Sequence, residues 1–156
     1  MENNFIKNIL DSSKTIAMVG VSSDKKKESS KNIKRRPSII VMQYLQEFGY
    51  KVIPVNPFAL GTEICGEKVI GKIEDVAVPI DIVNVFRPSE EAPELAKKTV
   101  KIGAKTLWLQ YGIQNASAKQ IVESESINYI ENKCIKQEYQ RLFLKMSPVF
   151  PVLKND

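Results

Sequence analysis

Short apolar runs rich in β-branched residues alternate with helix-period patterns along almost the whole chain, and this alternation leaves few folds open. Residues 15–21 (TIAMVGV) read as a strand. Residues 38–48 (SIIVMQYLQEF) read as a helix with Val41, Leu45 and Phe48 on its apolar face and Met42 and Tyr44 beside them. Ser38 can cap its start and Gly49 its end. Residues 51–55 (KVIPV) form the next strand, closed by Asn56-Pro57. Residues 58–79 are irregular, punctuated by Gly61, Gly66 and Gly71, with a short helical turn near Ile73–Ala77. A buried strand follows at 80–86 (IDIVNVF), then a helix starting at Ser89 or Pro93 and ending before Gly103. Residues 106–110 (TLWLQ) are a fourth strand, and Asn115 caps a helix running to about Glu125. Residues 127–131 (INYIE) are a fifth strand and 135–143 (IKQEYQRLF) a last helix. At the start of the chain Phe5, Ile6, Ile9 and Leu10 recur at helical spacing, which predicts an N-terminal helix packed on the domain. No basic stretch leads into an apolar one there, so a secretory signal is not expected.

Strands and helices joined by short connections, with no internal repeat and no second composition regime, predict a single α/β domain built on a parallel sheet. The 156 residues are enough for one such domain with a real core. Right-handed crossovers bring all strand C-termini to one edge, and ligands of such sheets bind there. The candidate site is therefore the set of strand ends: Gly20–Ser23, Val55–Pro57, Phe86–Arg87, Gln110–Gly112 and Lys133–Cys134.

Composition removes several chemistries. The chain has no histidine, which excludes Ser-His-Asp and Cys-His catalytic units, a phosphohistidine and any His-ligated metal. Cys65 and Cys134 form neither a disulfide framework nor a zinc pattern, so no metal is expected and a reducing, cytoplasmic location is. No apolar run approaches the length of a membrane span.

The formal net charge is +5, and segment 24–36 alone carries it: seven basic residues (Lys25, Lys26, Lys27, Lys31, Lys34, Arg35, Arg36) against Asp24 and Glu28. Such a run is either a solvated loop or a surface for a polyanionic ligand.

The strand ends narrow that ligand. Gly20 stands where a dinucleotide fingerprint begins, but Ser22 and Ser23 occupy the loop where further glycines should follow. The end of the second strand reads Val55-Asn56-Pro57-Phe58, without the Asp, Glu or Arg that dinucleotide sites place on the ribose, which counts against NAD and NADP. Nothing matches a P-loop. Arg35-Arg36-Pro37-Ser38 instead leads into the first helix after the glycine, where free N–H groups and a basic side chain suit phosphate. Arg87 lies on the same edge and is the foremost ligand candidate; its alternative is an ion pair with a neighbouring loop acid. The residues imply a nucleotide with more than one phosphate group.

The succession "IAMVGVSS", "RPS" opening a helix, "GYKVIPVNP", "GEKVIGKIEDVAVPIDIVNVFR", "IGAKTLWLQYGI" and "NKCIKQEYQRL" resembles the stand-alone CoA-binding domain family, similar also to the CoA-binding domain of the succinyl-CoA synthetase alpha subunit. The resemblance covers roughly residues 12–143. It implies a Rossmann-like three-layer α/β/α fold with a five-stranded parallel sheet, order 3-2-1-4-5, and coenzyme A along the strand C-termini. It implies further that Gly20, Val21, Ser22 and Ser23 approach the phosphates, with Arg36 and Ser38 at the helix start. Val55, Asn56, Pro57, Phe86 and Arg87 fall on the adenosine side, and Gln110, Gly112 and Ile113 near the pantetheine. The loop between Ser23 and Arg36 is longer and richer in lysine than the family pattern, and Tyr139 stands where histidine is expected.

Other residues carry two readings each. Cys134, before a helix, is either a packed thiol or a redox thiol able to form a mixed disulfide with CoA. Trp108 reads as core, Asp81 as the cap of a turn, and Glu90 and Glu91 as partners of a helix dipole. Gln110 suits a ligand contact or a structural hydrogen bond equally. The function expected is a binding, carrier or sensor module for CoA or an acyl-CoA, without catalysis of its own. The alternatives are an NAD(P)-dependent oxidoreductase or an accessory subunit of an acyl-CoA ligase; nucleic-acid binding is disfavoured because the basic residues are confined to one loop.

Overall fold

The computed structural model describes residues 2–22 and 37–145. Five apolar runs pair into one parallel sheet: β1 (Thr15–Val19), β2 (Lys51–Val55), β5 (Ile82–Val85), β6 (Thr106–Leu109) and β7 (Asn128–Ile130). A separate antiparallel pair, β3 (Glu63–Ile64) with β4 (Glu67–Lys68), interrupts the segment between β2 and β5. Five helices complete the fold: α1 (Glu2–Ser12), α2 (Pro37–Glu47), α3 (Ala92–Ile102), α4 (Ala116–Glu123) and α5 (Ile135–Phe143).

The order across the sheet is β2-β1-β5-β6-β7. β1 is registered against both β2 (Val19 opposite Val55) and β5 (Val19 opposite Val85). The position outside β2 belongs to Ile70, which forms a single parallel bridge to Val55. Its N–H donates to the Pro54 carbonyl and its carbonyl accepts from Asn56 N–H, both at 2.9 Å. This is the Rossmann-like arrangement with its outer strand reduced to one bridge. Segment 80–86, expected third in the 3-2-1-4-5 order, pairs with β1, because the outer place is already taken by Ile70.

Successive strand residues face opposite sides of the sheet, and each side has its own core. On one side Ile16, Met18, Ile82 and Trp108 pack under Ile6, Ile9 and Leu10 of α1, Val41, Met42 and Leu45 of α2, and Ile135 and Leu142 of α5. On the other, Ala17, Val83, Val85, Leu107 and Leu109 pack under α3 and α4 through Ala92, Ala96, Ala118 and Val122. Strands buried on both faces read as continuous apolar runs, which is what a parallel sheet under two helical layers requires.

Three details differ from the sequence expectations. Ser38 lies within the first turn of α2, because Pro37 supplies the first helical position; its Oγ lies 3.5 Å from the Ser22 N–H. Phe48, beyond the end of α2, and Phe5, off the inner stripe of α1, are exposed. The strand expected at 15–21 stops at Val19, where Gly20 turns the chain.

Polar ties hold the connections. Asp81 Oδ2 accepts from the N–H groups of Lys14 (2.8 Å) and Thr15 (3.1 Å), anchoring the start of β1. Trp108 is fully buried and its Nε1 donates to the Lys133 carbonyl at 2.8 Å. Asn115 caps α4 by accepting from Ala118 N–H at 2.8 Å. Tyr50 donates its hydroxyl to the Leu10 carbonyl at 2.6 Å, tying α1 to the start of β2. Burial, and then the neighbouring Tyr139, push the Tyr50 phenol well above its ordinary value.

That shift sets an alkaline limit. A phenol whose folded pKa is raised contributes stability that is complete below about pH 10, where unfolded tyrosine begins to ionise, and that declines as pH rises toward the folded value. Chemical denaturation at pH 8, 10 and 11 should show stability falling above pH 10, and Tyr50→Phe should lessen that fall, the rest being due to the similarly raised Tyr129 and Tyr44, while costing about 1 kcal/mol at pH 8 for the lost hydrogen bond.

Candidate functional site

The carboxyl ends of β1, β2, β5 and β6 open onto one edge, where β1 leaves the sheet by a turn at Gly20. Gly20 has φ +100°, and its N–H donates to the Val55 carbonyl at 2.9 Å. A Cβ built there would stand 2.9 Å from the Phe86 carbonyl oxygen and 3.0 Å from Arg87 Cδ, so the conformation and the close approach both require glycine. Val21 is fully buried, and its carbonyl accepts from Asn56 Nδ2 at 2.9 Å. Asn56 Oδ1 in turn accepts from Phe58 N–H at 2.8 Å and caps the short 3-10 turn Pro57–Ala59. The residue at the position of a dinucleotide's ribose acid thus ties two loops together.

Two clefts flank this turn, and the alternation beyond β5 assigns them: Arg87 lines one, Phe86 the other. The first, of about 400 Å³, lies on the α3 side. Gly20, Val55, Asn56 and Pro57 form its floor and rim, with Phe58, Lys72, Arg87, Glu91 and Lys98. Phe58 is 92% exposed on its pinned turn. The guanidinium of Arg87 is paired in two-point fashion with Glu91, Nε to Oε1 at 2.9 Å and Nη2 to Oε2 at 2.7 Å. The hydrogen bond from Arg87 holds the Glu91 carboxyl below the usual carboxylate range, and Glu91 raises Arg87.

The second cleft, broader at about 830 Å³, lies on the α2 and α5 side. Its walls include Ile40 and Val41 of α2, Phe86, Gln110, Ile113 and Cys134. Gln110 is nearly buried, and its Oε1 accepts from Asn84 Nδ2 and from Ile135 N–H, each at 3.2 Å. It therefore fixes the start of α5 while still lining the cleft. Cys134, half-buried, is the residue before that helix.

The expected residues divide as follows. Gly20, Val55, Asn56, Pro57 and Arg87 come together in the first cleft; Phe86, Gln110, Ile113 and Cys134 come together in the second. Phe86 is thus parted from its expected neighbour Arg87. Val21 offers its carbonyl while its side chain is core. Ser22 and the buried Ser38 lie side by side at the start of α2. Gly112 sits on the loop after β6, its N–H donating to Asn132 Oδ1 at 2.7 Å, and lines neither cleft. Ser23 and Arg36, with the lysine-rich segment between them, lie outside the described residues. Tyr139 packs among Tyr44, Phe48, Tyr50 and Phe143, away from both clefts.

The sequence reading missed Phe58, Lys72, Glu91 and Lys98 as cleft residues, and also Asn84, fully buried in β5 and bonded to Gln110. A polar residue inside the run IDIVNVF was the available signal for Asn84. Among the described residues no group of three or more Cys, Asp or Glu is placed to hold a metal ion, and no helix is long and apolar enough to cross a membrane.

Residues 14–140 match the family model described as CoA binding domain. The chain belongs to this family. It is 37% identical over 131 residues to the uncharacterized protein YneT of Bacillus subtilis, covering 84% of this chain and 89% of that one. Among solved structures, a Thermus thermophilus protein is 31% identical with a TM-score of 0.81, over 92% of this chain and all of that one. A hypothetical protein from Pyrococcus horikoshii is also 31% identical, with a TM-score of 0.78, over 91% and 92% of the two chains. A dinucleotide-forming acetyl-coenzyme A synthetase of Ca. Korarchaeum cryptofilum shares the fold, at 20% identity and a TM-score of 0.59, over 76% of this chain and 26% of that one.

In this CoA-binding domain the turn at Gly20 sustains both clefts. Gly20→Ala should cost about 1–3 kcal/mol, from a side chain at positive φ and the forced retreat of the Phe86 carbonyl. Urea denaturation measures the loss; a variant as stable as the parent would show that the turn relaxes freely.

Proposed function

We propose that the chain binds coenzyme A or an acyl-CoA along the carboxyl edge of the sheet, as a binding, carrier or sensor module without catalysis of its own. The observation that carries this reading is the pairing of unlike clefts on one edge. One gathers three cations, Lys72, Arg87 and Lys98, and the exposed ring of Phe58; the other is walled by apolar side chains and a thiol, with Lys136 as its one cation among the described residues. CoA has matching ends: an adenosine part bearing phosphates, and a long uncharged arm ending in sulfur.

On this reading Val55, Asn56, Pro57 and Arg87 take the adenosine side. Gly20, Val21 and Ser22 lie against the diphosphate, joined by Ser38 at the start of α2 and by Ser23 and Arg36. The arm passes Phe86 toward Gln110, Ile113 and Cys134, with Gly112 on the adjoining loop. Asn56 at the end of β2, occupied by two loop contacts, supports this ligand over NAD, whose ribose calls for a carboxylate there.

Thermal melting with CoA, dephospho-CoA, NAD, NADP and ATP tests the reading, since a ligand that binds only the folded state raises the melting temperature. CoA at about a hundred times its Kd should raise Tm by roughly 5–10 °C, dephospho-CoA at the same concentration by less, and NAD not at all. Arg87→Gln should cut the CoA shift to about half, as expected for a tenfold loss of affinity. A shift with NAD or NADP and none with CoA would return the oxidoreductase reading to first place.

Cys134 adds a covalent test. Its thiolate can attack the disulfide of oxidised CoA, forming a Cys134–CoA mixed disulfide and releasing one CoA thiolate. Intact-mass spectrometry after incubation with oxidised CoA should show one CoA added in the parent and none in Cys134→Ser. An adduct on Cys65, or on neither cysteine, rejects the placement of the arm.

A further inference from the structure

Arg87 enters the first cleft already engaged. Its Nε and Nη2 hold the two carboxylate oxygens of Glu91, the fork that a guanidinium otherwise offers to a phosphate. Both side chains line the same cleft. Both are also open to water, 41% exposed for Arg87 and 47% for Glu91, and an ion pair so exposed is weakly held. The other cations on the wall are Lys72 and Lys98, with Lys98 3.7 Å from Glu74 Oε1. Glu91 is the one carboxylate among the described residues of the lining, and it sits on the arginine that a ligand's anion would approach.

We propose that Glu91 is an internal stand-in for a ligand phosphomonoester: it occupies the fork of Arg87 and is exchanged for the phosphate when the nucleotide enters. The inference rests on the reading of this cleft as the adenosine end of CoA, where the phosphomonoester is the one on the ribose. The two anions compete for the same two donors, and a phosphomonoester has the advantage. It carries nearly two negative charges at neutral pH and three acceptor oxygens, against one charge and two oxygens on the carboxylate. A ribose hydroxyl has no such advantage and leaves the Arg87–Glu91 pair closed. Simple monoanions likewise have no advantage, because they bring no more charge than the tethered carboxylate they must displace. Glu91 therefore lowers affinity for the phosphorylated nucleotide while leaving the unphosphorylated one nearly unaffected. That keeps the cleft free of bystander anions and allows the ligand to leave.

Isothermal titration of CoA and dephospho-CoA at fixed salt tests the exchange, using the full chain, Glu91→Gln, Arg87→Gln and the double variant. Glu91→Gln should bind CoA about three- to fivefold more tightly and dephospho-CoA within about twofold of the parent. In the Arg87→Gln background the same substitution should change CoA affinity by less than about twofold, because the contested fork is gone. Unchanged or weaker CoA binding by Glu91→Gln overturns the exchange, and makes Glu91 a support for Arg87 instead. An equal gain for both ligands, or a gain that survives without Arg87, overturns it in favour of a general charge effect. Failure of the parent chain and every variant to bind CoA overturns the underlying reading of the cleft, and the exchange with it.

Discussion

β1 is held on both sides, by β2 and β5, and its chain can leave the sheet only by turning at Gly20 beneath the Phe86 carbonyl. That contact fixes the relation of three strand ends. The Gly20 N–H reaches the Val55 carbonyl, the Phe86 N–H reaches the Val19 carbonyl at 2.8 Å, and Asn56 closes the set through the Val21 carbonyl. With the turn so placed, the next residues of β5 diverge by simple strand alternation, Phe86 to one face and Arg87 to the other. The two clefts are consequences of that divergence. A substitution at Gly20 would move the Phe86–Arg87 step, and both clefts with it.

The clefts differ because the layers over them differ. On the α3 side, α3 starts after a 3-10 turn at Ser89–Glu91, which brings Glu91 to Arg87, and one face of the helix brings Leu95 and Lys98 to the wall. On the other side the starts of α2 and α5 converge, and the walls include Pro37, Ile40, Val41, Ile113 and Cys134, with Lys136 and Gln137 of α5. The buried Asn84–Gln110 pair holds the second arrangement from beneath, since Gln110 Oε1 accepts the N–H of Ile135 at the first position of α5. The Asn84 side chain bonds through Nδ2 alone, its Oδ1 buried without a partner among the described residues, so the pair carries a cost that its remaining bonds offset only in part. Here those bonds set the start of the helix that carries Cys134 into the cleft.

The strands were legible in the sequence because each is a short apolar run buried on both faces, bounded by turn residues, and a parallel sheet between two helical layers produces that pattern. Asn115 was legible as a cap because that role is local. Features that depend on distant segments were not. Asp81, expected to cap a turn, instead accepts from the N–H groups of Lys14 and Thr15, far back in the chain. Lys72 sits where the hairpin β3–β4 and the Ile70 bridge deliver it, and nothing in the run GKIEDVAV announces that path. Lys98 is one of three lysines on α3, and composition does not say which of them faces the cleft. An ion pair of Arg87 with a neighbouring acid was legible as an alternative, and the structure makes it, but Glu91 itself read as a dipole partner of its helix because Arg87 lies four residues earlier, across a proline, where a helical pairing is not expected. Ser38 read as a cap by residue type, but Pro37 had already claimed the first helical position.

The two faces also bear on the proposed choice of ligand. A dinucleotide is charged at its centre and carries a ring at each end, so a symmetric pair of aromatic-lined pockets with a ribose acid would suit it. This edge is asymmetric. Lys72, Arg87, Lys98 and the exposed Phe58 are on one side of Gly20, while the other side offers mainly hydrocarbon, with the amides of Gln110 and Gln137, the exposed Tyr111, one cation, Lys136, and a half-buried sulfur. As proposed, the ligand places its ribose phosphate in the first cleft and runs its arm through the second. On the proposed reading the sheet edge sorts the ligand by polarity along its length. The phosphate groups decide whether it enters, because they alone can contest Arg87 with Glu91. The arm decides which thiol it meets, because only the second cleft leads to Cys134.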